Sequence, residues 1–560
     1  MAAMTLRLVR TPEWERVVLA TFDRQEPALA TVTRAFDLGL LPSAMDMLTG
    51  GYVPGRSDFA DPSLLFVGLA GHREEVEEQA GALVAAVTGN GGDAQVLEVA
   101  EFLRRRAELV RDKVRRMVAA TGRPRYYLFD ATAPRSRLAD LMALIRESAR
   151  EFDLPVLNTF HAGDGNVHPT PFYDPNRADH EQRLRDFSRR ILLGCAAMGG
   201  ALTGEHGVGL EKRELMPEFF APEVLRAMHG IRRVFDPDGL SNPGKLLPPE
   251  PPPPSPSTAP PPSPAPVLPP STAPSPAADR RPAAPIRVNL VDAYLEVDDP
   301  GTTFAQVAAL LAGTPYELCY EPLGGHDGDP VLDAVDAGRP GLREPHPIAP
   351  RDLILGVRVG GLALGGTVTK DVAGYELRKL VYGGRGRLGG LRGLRLRLTP
   401  RPSDSRPVWS QPVPVPDAVR LVRRVHRAGL PLAYLGMLVG AGTATVCGRL
   451  ELRGGRLDRH LRRLRAEHPE VDWRTGDHGR WDDLPMRWLR RPDRSGIGCT
   501  DGTPWQAGGP PVGTLVDAYA SAGHGRTWSA AVRPGPATGS ERAATAALCA
   551  GVAAVFEAAR

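Results

Sequence analysis

At 560 residues, 42% hydrophobic and 24% charged, the sequence has the makeup of a globular chain of three or four domains. Its formal charge of +4 is small for that length, and its cations are nearly all Arg in an Ala-, Gly- and Pro-rich background; the Arg abundance reads as a compositional bias, not as the clustered basic face of a nucleic-acid binder, and no nucleic-acid partner is expected. Five cysteines far apart, with no C-x-x-C pair, exclude a disulfide framework and an iron–sulfur ligand set, and neither a signal-peptide pattern nor an apolar run of the ~20 residues that span a bilayer is present, so a cytoplasmic location is expected, with any membrane association through partners.

The first 150 residues alternate strand and helix patterns, the mark of an α+β layer. Residues 17–22, 63–69 and 93–98 read as strands, and residues 26–39 and 74–87 as helices. A charged helix is predicted over 98–120, with Phe102, Leu109, Val114 and Met117 as its apolar stripe and its Arg cluster as a solvated face. Residues 126–129 start another strand, and Ser136 is the expected N-cap of a helix running to Ala149.

The next stretch carries the chemistry. Apolar β-type runs at 154–160 and 169–173 flank the turn Gly163-Asp-Gly-Asn166, which predicts a hairpin. If its arms pair, His161 and His168 face each other about 5 Å apart at Cβ, close enough to share a metal ion. A helix follows, with Leu184, Phe187, Ile191 and Leu192 at helical spacing and Gly199-Gly200 at its end, and then the segment Gly204-Glu-His-Gly-Val-Gly209. Glu205 is the candidate third ligand. Two imidazoles and one carboxylate leave a coordination position open for water or substrate. His206 is then free to act as a base toward a metal-bound hydroxyl. The alternative is a pair of hydrogen-bonded core histidines and a helix-end carboxylate.

These motifs, together with Lys212 and Phe235-Asp-Pro-Asp-Gly-Leu-Ser-Asn-Pro-Gly-Lys245, resemble the C-terminal domain of the FAD-linked oxidases, a family that includes glycolate oxidase large subunits and D-lactate dehydrogenases. The resemblance implies metal ligands at His161, His168 and Glu205, a hydroxyl-proton acceptor at His206 and a flavin-side contact at Asn242. In that family a flavin domain of the vanillyl-alcohol-oxidase type precedes this one, and residues 1–20 cannot contain it. The first half is therefore expected to hold metal and base without a flavin platform of its own.

Residues 248–285 are dominated by Pro, Ala, Ser and Thr, a composition that buries no core and predicts an extended polyproline tether, with an SH3-type ligand as the alternative. After it, Arg351-Asp-Leu-Ile-Leu-Gly-Val-Arg358, Gly365-Gly-Thr-Val-Thr-Lys-Asp-Val-Ala-Gly-Tyr375 and Leu394-Arg-Leu-Arg-Leu-Thr-Pro-Arg-Pro402 are similar to the small FAD-binding subunit of glycolate oxidase. That likeness implies flavin contacts at Lys370, Gly374 and Tyr375. It departs from the family where a glycine-rich pyrophosphate loop would precede Ala293 and where a later glycine pair is Leu332-Asp333, so a flavin-type fold without flavin is the competing reading.

The expected architecture is α+β: an FAD-linked oxidase C-terminal cap domain of antiparallel sheet and helices at 1–247, a Pro-rich linker at 248–285, a partial PCMH-type FAD-binding domain at 286–402 and a small-subunit-like cap domain at 403–560. The resemblance implies FAD-dependent oxidation of a small 2-hydroxy acid such as glycolate or D-lactate, with a divalent metal, Zn or Mn, and with a separate FAD-domain chain and an iron–sulfur subunit as partners. The alternative is a non-catalytic assembly subunit with a degenerate flavin site. A metal-dependent hydrolase would use the same ligands, but the segment 235–245 argues against it.

Overall fold

The computed structural model describes residues 11–252, 286–476 and 514–516, apart from residues 41, 56–61, 323–326, 340, 342–348, 440–442 and 454–456. Most of the expected tether, and Trp481, Trp488 and Trp505, lie outside the described residues. Among those described, no helix is long and apolar enough to cross a membrane.

The first part of the chain runs β1 (Trp14–Phe22), α1 (Gln25–Asp37), β2 (Ala44–Leu48), β3 (Ser63–Gly71), α2 (Arg73–Gly89), β4 (Asp93–Leu97), α3 (Val99–Thr121), β5 (Arg125–Tyr126), β6 (Ala131–Thr132), α4 (Leu138–Glu151), β7 (Val156–His161), β8 (Asn166–Tyr173) and α5 (His180–Ala197). Short helices α6 (Gly209–Lys212) and α7 (Met216–Phe219) then lead to α8 (Pro222–Phe235). The strands form one antiparallel sheet in the order β4-β1-β3-β2-β7-β8-β5, with β6 also on β8. Both faces are covered, which is why β1 and β3 read as unbroken apolar runs and not as alternating ones. Val18, Ala20 and Phe22 join the core under α1, α2, α4 and α5. Val17 and Leu19 face the other way, into the smaller core closed by Phe102, Leu109, Val114 and Met117 of α3.

Two sequence expectations need correction here. The strand expected at 126–129 is broken into β5 and β6, because its partner β8 carries Pro169 and Pro171, which have no N–H to give; only their carbonyls are used, accepting from the Phe129 and Tyr127 N–H groups. Ser136 does not cap α4, which begins at Leu138 without a side-chain cap. Its hydroxyl and N–H are instead taken by the Asp292 carboxylate, at 2.6 and 2.9 Å, from the second part of the chain.

That second part runs β9 (Ile286–Asn289), β10 (Tyr294–Val297), α9 (Phe304–Leu311), β11 (Tyr316–Glu317), α10 (Val331–Asp336), β12 (Ile354–Val359), β13 (Leu362–Gly365), β14 (Leu391–Arg397) and β15 (Thr399–Pro400). Its main sheet has the antiparallel order β13-β12-β14-β10-β9, and its buried side chains, Leu295, Val297, Leu394 and Leu396 among them, join the core of the first part in one continuous apolar cluster. A third unit, from β16 (Asp404–Trp409) to β20 (Arg474–Thr475), holds helices α11 (Val415–Arg427) and α12 (Asp458–Glu467) against its own sheet and has a separate core around Val422, Val446, Leu450 and Trp473.

The third unit touches the first where α12 meets the start of α2. The His460 ring lies edge-on to that of His72 at 4.7 Å, and Arg459 pairs with Glu74 at 2.9 Å. His460 is buried, and its pKa is pushed down to about 4, by burial first and then by His72 and Arg459, against the opposing pull of Glu74 and Glu13. A histidine depressed in the folded state binds fewer protons than in the unfolded one, so stability falls as pH drops from about 6.5 toward about 4. In His460→Phe this acid limb should flatten, by on the order of 2–3 kcal/mol at its foot, in chemical denaturation followed across that range. An unchanged limb counts against the assignment.

Candidate active site

The hairpin expected around the two histidines is β7–β8, but its register corrects the expected pairing. His161 stands opposite Asn166 and His168 opposite Thr159, because the turn over residues 162–165 closes directly between His161 and Asn166. The histidines are therefore diagonal neighbours on one face, with ring centroids 5.4 Å apart and planes at 88°. Each ring is fixed through Nδ1: His161 to the Asp46 carboxylate at 2.6 Å, from the adjoining strand β2, and His168 to the Phe129 carbonyl at 3.0 Å. A carboxylate and a carbonyl are acceptors, so both Nδ1 atoms carry hydrogen and both Nε2 atoms present lone pairs.

Those two Nε2 atoms converge on a third acceptor. Glu205 Oε1 lies 3.3 Å from His161 Nε2 and 3.2 Å from His168 Nε2, and the potential donor atoms of the three residues all fall within 4.8 Å of one another. Three lone-pair-bearing atoms at these distances repel unless a cation, a proton or a metal ion, sits among them. The donor set thus fits a divalent metal, with the Asp46 carboxylate behind one ligand and a peptide carbonyl behind the other, as metal-ligating histidines require. The Asp46 hydrogen bond raises the His161 pKa, whereas burial lowers that of His168. Burial alone would raise the Glu205 carboxyl; the ammonium of Lys370, 2.8 Å from Oε2, reverses this and brings it below its ordinary value.

Behind this cluster lies a residue that sequence reasoning missed. Asp130, fully buried between β5 and β6, accepts hydrogen bonds from the Glu205 and His206 N–H groups at 3.1 and 3.0 Å, from Asn166 Nδ2 at 2.6 Å and from the Thr203 hydroxyl. Lys212 Nζ completes the set, 3.3 Å from Asp130 Oδ2 and 2.9 Å from the Asp130 carbonyl. Burial would raise the Asp130 pKa, but Lys212, Thr203 and the His206 N–H hold the carboxyl well below the usual carboxylate range. The 203–206 turn can approach Asn166 and Thr132 this closely only through Gly204, where a Cβ would come within 2.4 Å of both side chains. The one sequence signal for Asp130 was an acid inside the apolar run 126–133; Asp46, between two methionines, had the same signal on a strand that was not predicted at all.

His206 lies beside the cluster, its ring stacked on that of His168 at 5.0 Å and 18°, its Nε2 3.9 Å from Glu205 Oε1, and its side chain 41% exposed, which leaves it open to a ligand. Of the residues expected at a flavin, Lys370 reaches across to Glu205 and Asp164. Gly374 lies against α8, where a Cβ would come within 2.7 Å of Met228 Sδ, and Gly365 closes on its own sheet, where a Cβ would come within 2.2 Å of the Leu355 carbonyl oxygen. At both positions the absence of a side chain permits close packing. Tyr375 lines a cavity of about 150 Å³ with Phe219, Phe220 and Met228, Asn242 is exposed on the loop after α8, and Leu332 is buried in α10.

Residues 11–246 match the family described as FAD linked oxidases, C-terminal domain. Glycolate oxidase subunit GlcD of Escherichia coli is 33% identical over 256 residues, covering 44% of this chain and 50% of GlcD. The Bacillus subtilis subunit of the same name is 29% identical over 251 residues, covering 43% and 53%, and D-lactate dehydrogenase of Anaerostipes hadrus is 26% identical over 262 residues, covering 43% and 54%. The chain thus spans about half the length of the curated relatives it matches.

Proposed function

We propose that the chain, whose residues 11–246 match the family described as FAD linked oxidases, C-terminal domain, is the metal- and substrate-binding subunit of an FAD-dependent dehydrogenase that oxidises a small 2-hydroxy acid, such as glycolate or D-lactate, to the 2-oxo acid. The observation that carries this reading is the convergence of His161 Nε2, His168 Nε2 and Glu205 Oε1. His161, His168 and Glu205 would hold a divalent ion, Zn or Mn, which when bound supplies Lewis acidity toward the substrate hydroxyl. His206 then accepts the hydroxyl proton at Nε2, from its exposed place beside the cluster. Asp46 and the Phe129 carbonyl keep the two ligand rings turned inward, and Asp130 keeps the 203–206 turn from relaxing away.

No flavin step is assigned to this chain's own glycines, which are taken up in packing. The FAD is proposed to come with a separate chain, and an iron–sulfur subunit to take the electrons onward. The same packed glycines favour the second reading, an assembly subunit without turnover; the intact set of His161, His168, Glu205 and His206 weighs against it.

Metal and flavin should be quantified on the protein alone and again after co-purification with the products of neighbouring genes. Metal near one equivalent on the chain alone, with FAD only in the complex and 2-hydroxyacid-dependent dye reduction there, is the expected result. A complex with neither metal nor FAD would leave the assembly reading.

A further inference from the structure

Lys370 is one of only five lysines in an Arg-rich chain, and it projects from the second part of the molecule into the acid cluster of the first. Its Nζ lies 2.8 Å from Glu205 Oε2 and 3.3 Å from Asp164 Oδ2, Asp164 being in the turn between the histidine strands. The segment carrying it is tied down on both sides: the Thr367 hydroxyl donates to the Gly199 carbonyl at 3.3 Å, and the Val372 N–H to the Thr203 carbonyl at 3.1 Å. Lys370 is thus delivered to the site by anchors three residues before it and two residues after it. Its side chain keeps 26% exposure, enough to meet a small ligand.

Glu205 is claimed twice, by the histidine side through Oε1 and by Lys370 through Oε2. When Glu205 serves as a metal ligand, Lys370 still has Asp164 and, with three donor hydrogens, room for another acceptor. Its partner Asp164 and its chain neighbour Thr369 line a cavity of about 60 Å³, together with Thr367, Arg135 and Arg397. The Arg397 side chain makes no hydrogen bond or ion pair among the described residues, so it and Arg135 bring two guanidinium groups to this space, next to the segment that carries Lys370.

A 2-hydroxy acid carries its carboxylate on the carbon next to the hydroxyl, so a group that holds the carboxylate must stand beside the hydroxyl's own site. We infer that Lys370 is that group, the anchor of the substrate carboxylate, donated by the second part of the chain and restricting the site to hydroxy acids over plain alcohols. The inference rests on the proposed function. A compact ammonium suits the task, since it bonds a carboxylate as a point charge without the planar fork of Arg.

The test uses the full chain loaded with Mn²⁺, titrated calorimetrically with D-lactate and with glycolate, in wild type, Lys370→Met and Lys370→Arg, with Mn²⁺ affinity measured separately. Lys370→Met should weaken acid binding roughly 10–100-fold, the range of a lost charged hydrogen bond, with Mn²⁺ binding kept, and Lys370→Arg should restore part of it. Equal acid binding in Lys370→Met overturns the anchor. Loss of Mn²⁺ in that variant also overturns it, and makes Lys370 a support for Glu205 instead. If wild type itself binds no metal, the proposed function fails first.

Discussion

His161→Ala is expected to cost the protein its metal, lowering divalent-ion affinity at least ~100-fold, whereas His206→Ala is expected to keep the metal and lose turnover by roughly 10²–10⁴. The two positions differ in what they touch. His161 Nε2 faces Glu205 Oε1 at 3.3 Å with its other nitrogen locked to Asp46, so removing the ring deletes one of three converging donors. His206 stacks on His168 and reaches Glu205 only at 3.9 Å, so it is a neighbour of the cluster and not one of its members. Asp46→Ala should fall between them, with a ~10–100-fold loss of metal affinity, because it frees the His161 ring without removing it. Metal content after exhaustive dialysis, together with Mn²⁺ titration, reads the first effect, and dye reduction by the reconstituted complex reads the second. Stoichiometric metal in His161→Ala would sink the ligand assignment.

Asp130→Ala is expected to be the most damaging single change in the first part of the chain, costing about 3–5 kcal/mol of stability. The carboxylate is fully buried and gathers Asn166, Thr203, Lys212 and two peptide N–H groups; its removal strands a buried ammonium and leaves the 203–206 turn without its anchor. A buried pair is worth less than the cost of breaking it suggests, so the double variant Asp130→Ala/Lys212→Met should recover part of the loss. Denaturant unfolding of both variants measures this, and metal titration of the double variant separates stability from site geometry: the fold should return in part while metal affinity stays low. A single-variant loss below about 1 kcal/mol would show that Asp130 is not the keystone proposed here.

Much of this organisation was legible in the residues. The periods of α1, α2 and α5, the apolar runs of β1 and β3, and the turn at Gly163-Asp-Gly-Asn166 depend on local pattern, and the structure places those elements within a few residues of the reading. The two glycine-framed motifs at 161–168 and 204–209 were visible because they concentrate ligand-type side chains where the backbone must turn tightly. Asp46 and Asp130 were not, since a lone acid in an apolar run looks the same whether it faces solvent or supports a site. Ser136 has the composition of a helix cap, and only the arrival of Asp292 from 156 residues away gives its hydroxyl another partner.

By itself, then, the sequence determined which side chains are available for the chemistry and on which local elements they ride. The register that makes His161 and His168 diagonal neighbours, the Asp130 hub, and the approach of Lys370 to Glu205 across 165 residues were decided only by the tertiary structure. The physical reason is range. Periodicity and turn propensity act over a few residues, whereas a ligand cluster is held by hydrogen bonds and ion pairs between strands and loops that packing alone brings within 3 Å of each other.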